Sequence, residues 1–168
     1  LGDGPTGAKP FGVYRPASVP ADLVPQQVHI GARPPLVVTS PQPTPPATSL
    51  AVEDLPKPGP DWSQQPTVNA PLGVVVGARS GDKGANANLG VFVREAAQFG
   101  WLDEFLTVDR LKDLLPEVRP LTVHRYRLPN LNAVNFVIEA LLEEGVAACS
   151  RQDRQAKALG EWLRSRVV

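Results

Sequence analysis

Eight consecutive polar or small residues, Arg79–Asn86, interrupt the most apolar part of the sequence. They carry a guanidinium, a hydroxyl, a carboxylate, an ammonium and an amide, and they separate the apolar runs Leu72–Val76 and Leu89–Val93. A simple turn between strands needs about two to five residues of the Gly, Asn or Asp type. So many hydrogen-bonding groups exceed what a turn requires, and they predict a functional loop.

The chemistry of this predicted loop suits an anion. Arg79 and Lys83 bring two positive charges close together, and Gly81 and Gly84 permit close approach of the backbone. Successive backbone amides in such a loop can form an anion-binding nest, which predicts a site for a phosphate or a carboxylate. An alternative stays open, because Asp82 could pair with either cation and simply brace the loop.

The same residues do not fit a phosphate-loop NTPase. That motif needs a glycine directly before its lysine and a serine or threonine directly after it to bind magnesium. Here Asp82 precedes Lys83 and Gly84 follows it. The next residues also predict a strand rather than a helix, so nucleotide hydrolysis by that mechanism is excluded.

A second polar cluster, Pro129–Asn135, contains three asparagines at a predicted strand-to-helix junction. The N-terminus of a helix can hold an anion, although Asn130 could equally be an ordinary N-cap. The two clusters together predict these ligand-binding residues: Arg79, Ser80, Gly81, Asp82, Lys83, Gly84, Asn86, Asn88, Asn130, Asn132 and Asn135.

Residues 71–168 have the hydrophobic periodicity of one domain that can bury its own core. The patterns predict strands over 71–78, 88–94, 121–128 and 146–150, and helices over 99–106, over 108–115 after Thr107, over 131–141 after Asn130, and after Asp153. Strands and helices mixed at this length predict an α+β sandwich.

The first 70 residues have a different composition. Sixteen of the 19 prolines lie at or before Pro71, and 39–70 reads as a Pro-rich linker. Three apolar pieces, Phe11–Tyr14, Leu23–Ile30 and Leu36–Val38, could be strands within 1–38. They are either the tail of an upstream domain or scattered hydrophobes in a disordered tail. The chain contains no methionine, so we expect a segment of a longer protein.

Composition narrows the functional classes. Seventeen basic and 17 acidic residues give no net charge, which argues against a nucleic-acid partner. The basic and aromatic segment His124–Arg127 is therefore interpreted as a solvated strand face. No apolar run is long enough for a membrane span, and two distant histidines with a single cysteine predict no metal site and no internal disulfide. Cys149 alone favours the reducing cytoplasm.

Several motifs taken together resemble one family. Ala78–Gly84, Asn86–Val91 and Tyr126–Leu131, followed by Asn135–Phe136 and the ending Ala156–Leu163, are similar to the C-terminal domain of acyclic terpene utilisation (AtuA) family proteins. The resemblance covers about residues 71–168. It implies a ferredoxin-like α+β sandwich, an upstream N-terminal domain as partner, and a place in acyclic terpene or branched acyl-CoA catabolism. It assigns no catalytic residue and no cofactor.

Two functions follow as expectations. In the first, the domain supports binding of an anionic acyl-CoA-type ligand: Arg79 and Lys83 would neutralise its charge, backbone amides at the glycines would bind it, and asparagines would orient it. In the second, the domain is a structural or oligomerisation module that docks on the N-terminal domain or on a second copy, without a ligand of its own.

Overall fold

The computed structural model describes residues 12, 17–39, 60 and 66–168, in two compact units. The smaller unit contains a 3-10 turn, Ala21–Leu23, and a hairpin of β1 (Gln26–Val28) and β2 (Leu36–Val38). These strands confirm the central part of the predicted segment 23–30 and all of 36–38. Apart from Gly12, the strand predicted at 11–14 lies outside the described residues, as does most of the linker predicted at 39–70.

The larger unit, residues 66–168, is built on a four-stranded antiparallel sheet. The strands are β3 (Val76–Lys83), β4 (Asn86–Val93), β5 (Val123–Leu128) and β6 (Ala133–Ile138), in the order β3-β4-β6-β5. Each hairpin is followed by helical structure: α1 (Phe99–Phe105) and α2 (Val108–Leu114) follow the first, and α3 (Leu159–Arg164) follows the second. The predicted α+β sandwich is confirmed.

The core lies between the helices and one face of this sheet. Alternate residues of β4, from Ala87 to Val93, are fully buried, and the intervening ones are half-buried or exposed. Phe136 and Ile138 of β6 join them, together with leucines from all three helices. Burial with period two is what a sheet covered on one face requires. Thr107 accepts a hydrogen bond from Arg110 N at 3.1 Å, which confirms it as the N-cap of α2.

The predicted loop over 79–86 is wrong, because β3 and β4 continue through it. A 3-10 turn occupies Leu72–Val74, β3 runs from Val76 to Lys83, and Gly84 and Ala85 alone form the turn. Gly84 has φ of +64°, the conformation that a type II′ hairpin turn requires at this position. Arg79 and Lys83 are exposed, and the buried Ser80 has hydrogen-bond partners, so these polar side chains do not interrupt the strand.

The predicted helix over 131–141 is also wrong. Its stripe residues Val134 and Ile138 fit both a helix and a strand, but the buried Phe136 between them fits only period two. β5 and β6 are joined by a 3-10 turn, Pro129–Leu131, which ends at Asn132 in the left-handed conformation with φ of +49°. Asn130 therefore caps no α-helix, and this cluster has no helix N-terminus for an anion.

The segment 141–158 is irregular, and the strand predicted at 146–150 is wrong. Cys149 N bonds to Gly145 O at 2.9 Å, which closes a turn. Both carboxylate oxygens of Asp153 accept backbone N–H groups, those of Lys157 and Ala158, at 2.9 Å. The last helix begins only at Leu159, although the predicted inward residues of this region are buried.

Glu143 makes part of this segment sensitive to pH. Its carboxylate accepts the Ser150 hydroxyl at 2.7 Å and the Ser150 N–H at 3.1 Å, and these bonds lower the pKa of Glu143 below its ordinary value of 4.5. A lowered pKa in the folded state stabilises the fold above pH 4.5 and loses that contribution as the pH falls through the folded-state value. Glu143→Gln is expected to be less stable than the wild type at neutral pH, with the difference shrinking below pH 4.5.

Thermal unfolding of both proteins along a falling pH series measures this effect. Glu104→Gln, which removes an exposed glutamate of α1, is the control for loss of a surface charge. If the difference in stability between Glu143→Gln and the wild type stayed constant along the pH series, the hydrogen bonds of the carboxylate would make no pH-dependent contribution to stability.

Candidate functional site

The uncovered side of the larger sheet, which we call the open face, gathers several of the predicted site residues. Strand register places Arg79 opposite Gly90, Gly90 opposite Asn135, and Asn135 opposite Tyr126. Neighbouring strands lie about 4.8 Å apart, so this row crosses the sheet over about 14 Å. One strand thus contributes a guanidinium, another an amide and a third a phenol to one surface.

Gly90 forms the floor at the centre of this row. A Cβ built at Gly90 would lie 3.6 Å from Asn135 Oδ1 and 3.7 Å from Arg79 O, which are ordinary contacts. The neighbouring row places Gly81 opposite Asn88, and Asn88 opposite Val137. Gly90 therefore leaves room on the open face between Arg79 and the two half-buried asparagines.

A third cation joins Arg79 and Lys83 at the β3 edge of the open face. A Cβ on Gly81 would lie 3.0 Å from Lys157 Nζ, so the ammonium lies against the strand where only a hydrogen projects. Lys157 Nζ is also 3.9 Å from Asp82 Oδ1, and its side chain is well exposed. Lys83 Nζ donates to Asp82 O at 3.0 Å. Three cations therefore lie along the 79–83 stretch of β3, with the Asp82 carboxylate near Lys157.

The sequence patterns do not predict that Lys157 belongs to this site. It lies in the segment that was predicted to begin the last helix, and no spacing pattern connects it with β3, 74 or more positions earlier. Its position depends on Asp153, which bonds Lys157 N, and on the contact of α3 with β3.

Other predicted site residues face the interior or serve the fold. The buried Ser80 hydroxyl accepts Gly160 N–H at 2.9 Å and donates to Lys157 O at 3.4 Å, which ties α3 to β3. Asn86 Oδ1 accepts Ala140 N–H at 3.0 Å. Gly81 pairs with Asn88 inside the sheet, so the predicted nest of exposed amides at Gly81 and Gly84 is replaced by a regular hairpin. Asn130 and Asn132 lie in the β5–β6 turn.

The arginines of β5 do not form the solvated face that was predicted. Arg125 Nη2 contacts Asp103 Oδ1 at 2.7 Å, and Arg127 Nη2 contacts Asp103 Oδ2 at 2.8 Å. Arg125 also donates to Leu106 O at 2.9 Å. Both side chains lie on the helix side and bind β5 to α1, so only His124, Tyr126 and Leu128 of this strand face outward.

His124 has a partner on the outward side. Its Nε2 lies 2.7 Å from Glu139 Oε1, with both side chains about half exposed. This pair occupies the end of the open face farthest from Phe92 and Leu128. The open face is therefore apolar at one end of its strands and charged at the other.

The structure defines an α+β domain in which helices cover one face of the sheet and the other face is open. No helix in the described ranges is long and apolar enough to cross a membrane. Residues 70–168 match the family described as AtuA ferredoxin-like domain, and the match covers more than half of the chain. The chain belongs to this family, as the motif resemblance predicted. Comparisons with curated proteins and with solved structures give no match.

Proposed function

We propose that this AtuA-family accessory domain supports the binding of an anionic acyl-CoA-type ligand in acyclic terpene or branched acyl-CoA catabolism. The observation that carries the proposal is the cationic edge of the open face, where Arg79, Lys83 and Lys157 lie along one stretch of β3. The carboxylate of Asp82 lies near Lys157 and on the helix side of the strand. The lone cysteine, Cys149, is buried and free, which suits action in the reducing cytoplasm.

The three cations would bind the anionic group of the ligand in different ways. The planar guanidinium of Arg79 can donate two parallel hydrogen bonds to a phosphate or carboxylate, whereas Lys83 and Lys157 act as point charges. Asn88 and Asn135 offer amide donors and acceptors further along the sheet. The floor at Gly90 lets a ligand reach these amides from the cationic edge.

Calorimetric titration of the full chain with acyl-CoA thioesters, including geranyl-CoA, tests the proposal. The double variant Arg79→Ala/Lys83→Ala is expected to weaken binding by at least about tenfold, because charge-assisted hydrogen bonds are lost. The matched control is Lys112→Ala/Arg119→Ala, which removes the same charge from α2 and the turn after it. Equal affinities for the wild type and the Arg79/Lys83 variant would contradict the proposal.

A second variant separates binding from folding. Gly90→Leu would place a side chain over the floor of the open face, where a Cβ meets only ordinary contacts. Binding is expected to be lost while the thermal unfolding temperature is retained. Full binding by Gly90→Leu would show that the ligand does not cross this row.

One observation favours the structural alternative. Phe92 and Leu128, at the apolar end of the open face, are 41% and 39% exposed, and Tyr126 in the adjacent row is 51% exposed. Such a patch suits docking on a protein surface, either the upstream AtuA N-terminal domain or a second copy. Sedimentation with and without the isolated N-terminal domain would detect this. A chain that stays monomeric and does not bind that domain would contradict the structural alternative.

A further inference from the structure

The two edges of the larger sheet are protected differently. On β3, carbonyl groups of the strand accept hydrogen bonds from cationic side chains. Arg164 Nε donates to Val76 O at 3.1 Å, and Lys83 Nζ donates to Asp82 O at 3.0 Å. Charged side chains at an edge discourage another strand from pairing there. β3 is therefore a poor template for strand addition.

β5 presents a regular edge. Glu139 N donates to Thr122 O at 3.0 Å, directly across the β5–β6 ladder. Because bonded pairs alternate in an antiparallel ladder, His124 and Tyr126 bond to β6, and the backbone groups of Val123, Arg125 and Arg127 face away from the sheet. In the part of the chain that the structure describes, β5 pairs with β6 alone.

This edge also carries an excess of positive charge. Arg125 and Arg127 share the carboxylate of Asp103, and the three side chains are 18%, 29% and 15% exposed. Two guanidiniums thus lie beside one carboxylate, on the helix side of the strand. Arg127 Nε is buried without a hydrogen-bond partner among the described residues, so the cluster has an unsatisfied donor in addition to its net positive charge.

The charges select the kind of strand that can be added. Two copies could pair through β5 about a two-fold axis centred on Arg125 or on Tyr126. The first register places Arg125 opposite itself, and the second places Arg125 opposite Arg127 of the other copy. These two registers pair five residues of β5 each, more than an axis on His124 would. Like charges directly opposite each other are destabilising, so both registers are disfavoured, and the edge is complementary to an acidic strand.

We propose that the outer edge of β5 binds an extended acidic segment of another protein as an antiparallel fifth strand. Main-chain hydrogen bonds to Val123, Arg125 and Arg127 hold the segment. Acidic side chains at alternate positions lie opposite Arg125 and Arg127 on the helix side. The intervening side chains lie beside Tyr126 on the open face.

Three synthetic peptides with alternating glutamate and threonine test this geometry on the full chain by fluorescence anisotropy. In the proposed register each glutamate opposes an arginine whose N–H faces outward, so the glutamate N–H groups point at β5 and the threonine N–H groups point away. The parent peptide and the peptide N-methylated on threonine are expected to bind alike. N-methylation on glutamate is expected to weaken binding by at least about tenfold.

A peptide with lysine in place of glutamate is the charge control and is expected to bind at least about tenfold more weakly. Amide hydrogen exchange of Val123, Arg125 and Arg127 should slow when the parent peptide is bound. Equal binding of the acidic and basic peptides would overturn the proposal. An affinity that does not change on N-methylation of the glutamates would also overturn it. Self-association of the chain that protects the same three amides would also overturn it, in favour of a second copy.

Discussion

Asp103→Ala is expected to lower the free energy of unfolding by about 3 kcal/mol, because it leaves two mostly buried guanidiniums without their shared carboxylate. Asp103 contacts both Arg125 and Arg127 within 2.8 Å and is itself 15% exposed. Removing one partner of a buried pair costs more than the pair contributes, since the remaining charge loses solvation. For a domain of this size the unfolding temperature should fall by more than about 10 °C.

Asp113→Ala is the matched control for this prediction. Asp113 also contacts an arginine, Arg119, but at 3.8 Å and with both side chains mostly exposed. Exposed pairs contribute about 0–1 kcal/mol, so thermal unfolding of this variant should be close to that of the wild type. Similar losses for Asp103→Ala and Asp113→Ala would mean that the backbone oxygens of residues 103 and 106, together with solvent, satisfy the two arginines after the carboxylate is removed.

Ser80→Ala is expected to cost about 2 kcal/mol of stability, because the buried Gly160 N–H loses its acceptor. The bond is 2.9 Å long and joins β3 to the first turn of α3. A Cβ on Gly160 would lie 3.3 Å from Ala78 Cβ, so the helix and strand are in close contact and leave little space for a replacement water. Denaturant unfolding measures the change.

Ser165→Ala serves as the comparison for Ser80→Ala. The Ser165 hydroxyl donates to Trp162 O at 2.7 Å but lies at the exposed end of α3, where water can replace it. Its loss should stay within about 0.5 kcal/mol. If Ser80→Ala unfolded like Ser165→Ala and instead lost ligand affinity, Ser80 would belong to the ligand site rather than to the α3–β3 contact.

The sequence predicted those elements whose hydrophobic period was unambiguous. The Thr107 cap, the leucines of α2 and the alternation of Leu89, Val91 and Val93 were sufficient, because each fits a single kind of element. Apolar residues at positions 134 and 138 fit both the helical period and the strand period. The period-two burial of Phe136 decides between them, and it depends on pairing with β4 and β5 rather than on local propensity.

The candidate site could be predicted by residue type but not by geometry. Polar residues at 79–83 suggested a loop, whereas the structure divides them between two faces: Arg79 lies on the open face and Ser80 points to α3. Successive side chains of a strand point to opposite faces of the sheet. Neighbouring polar residues such as these therefore contribute to different surfaces. Lys157 reaches β3 only through tertiary contacts.

The small hairpin of β1 and β2 has a consequence for solution behaviour. All six strand residues are exposed, including Leu36, Val37 and Val38. Short β-branched segments of this kind are templates for fibril formation when they lengthen. Pro25 stands directly before β1, and Pro34 and Pro35 stand directly before β2. Proline cannot donate to a ladder, so these residues act as gatekeepers that hold each strand to three residues.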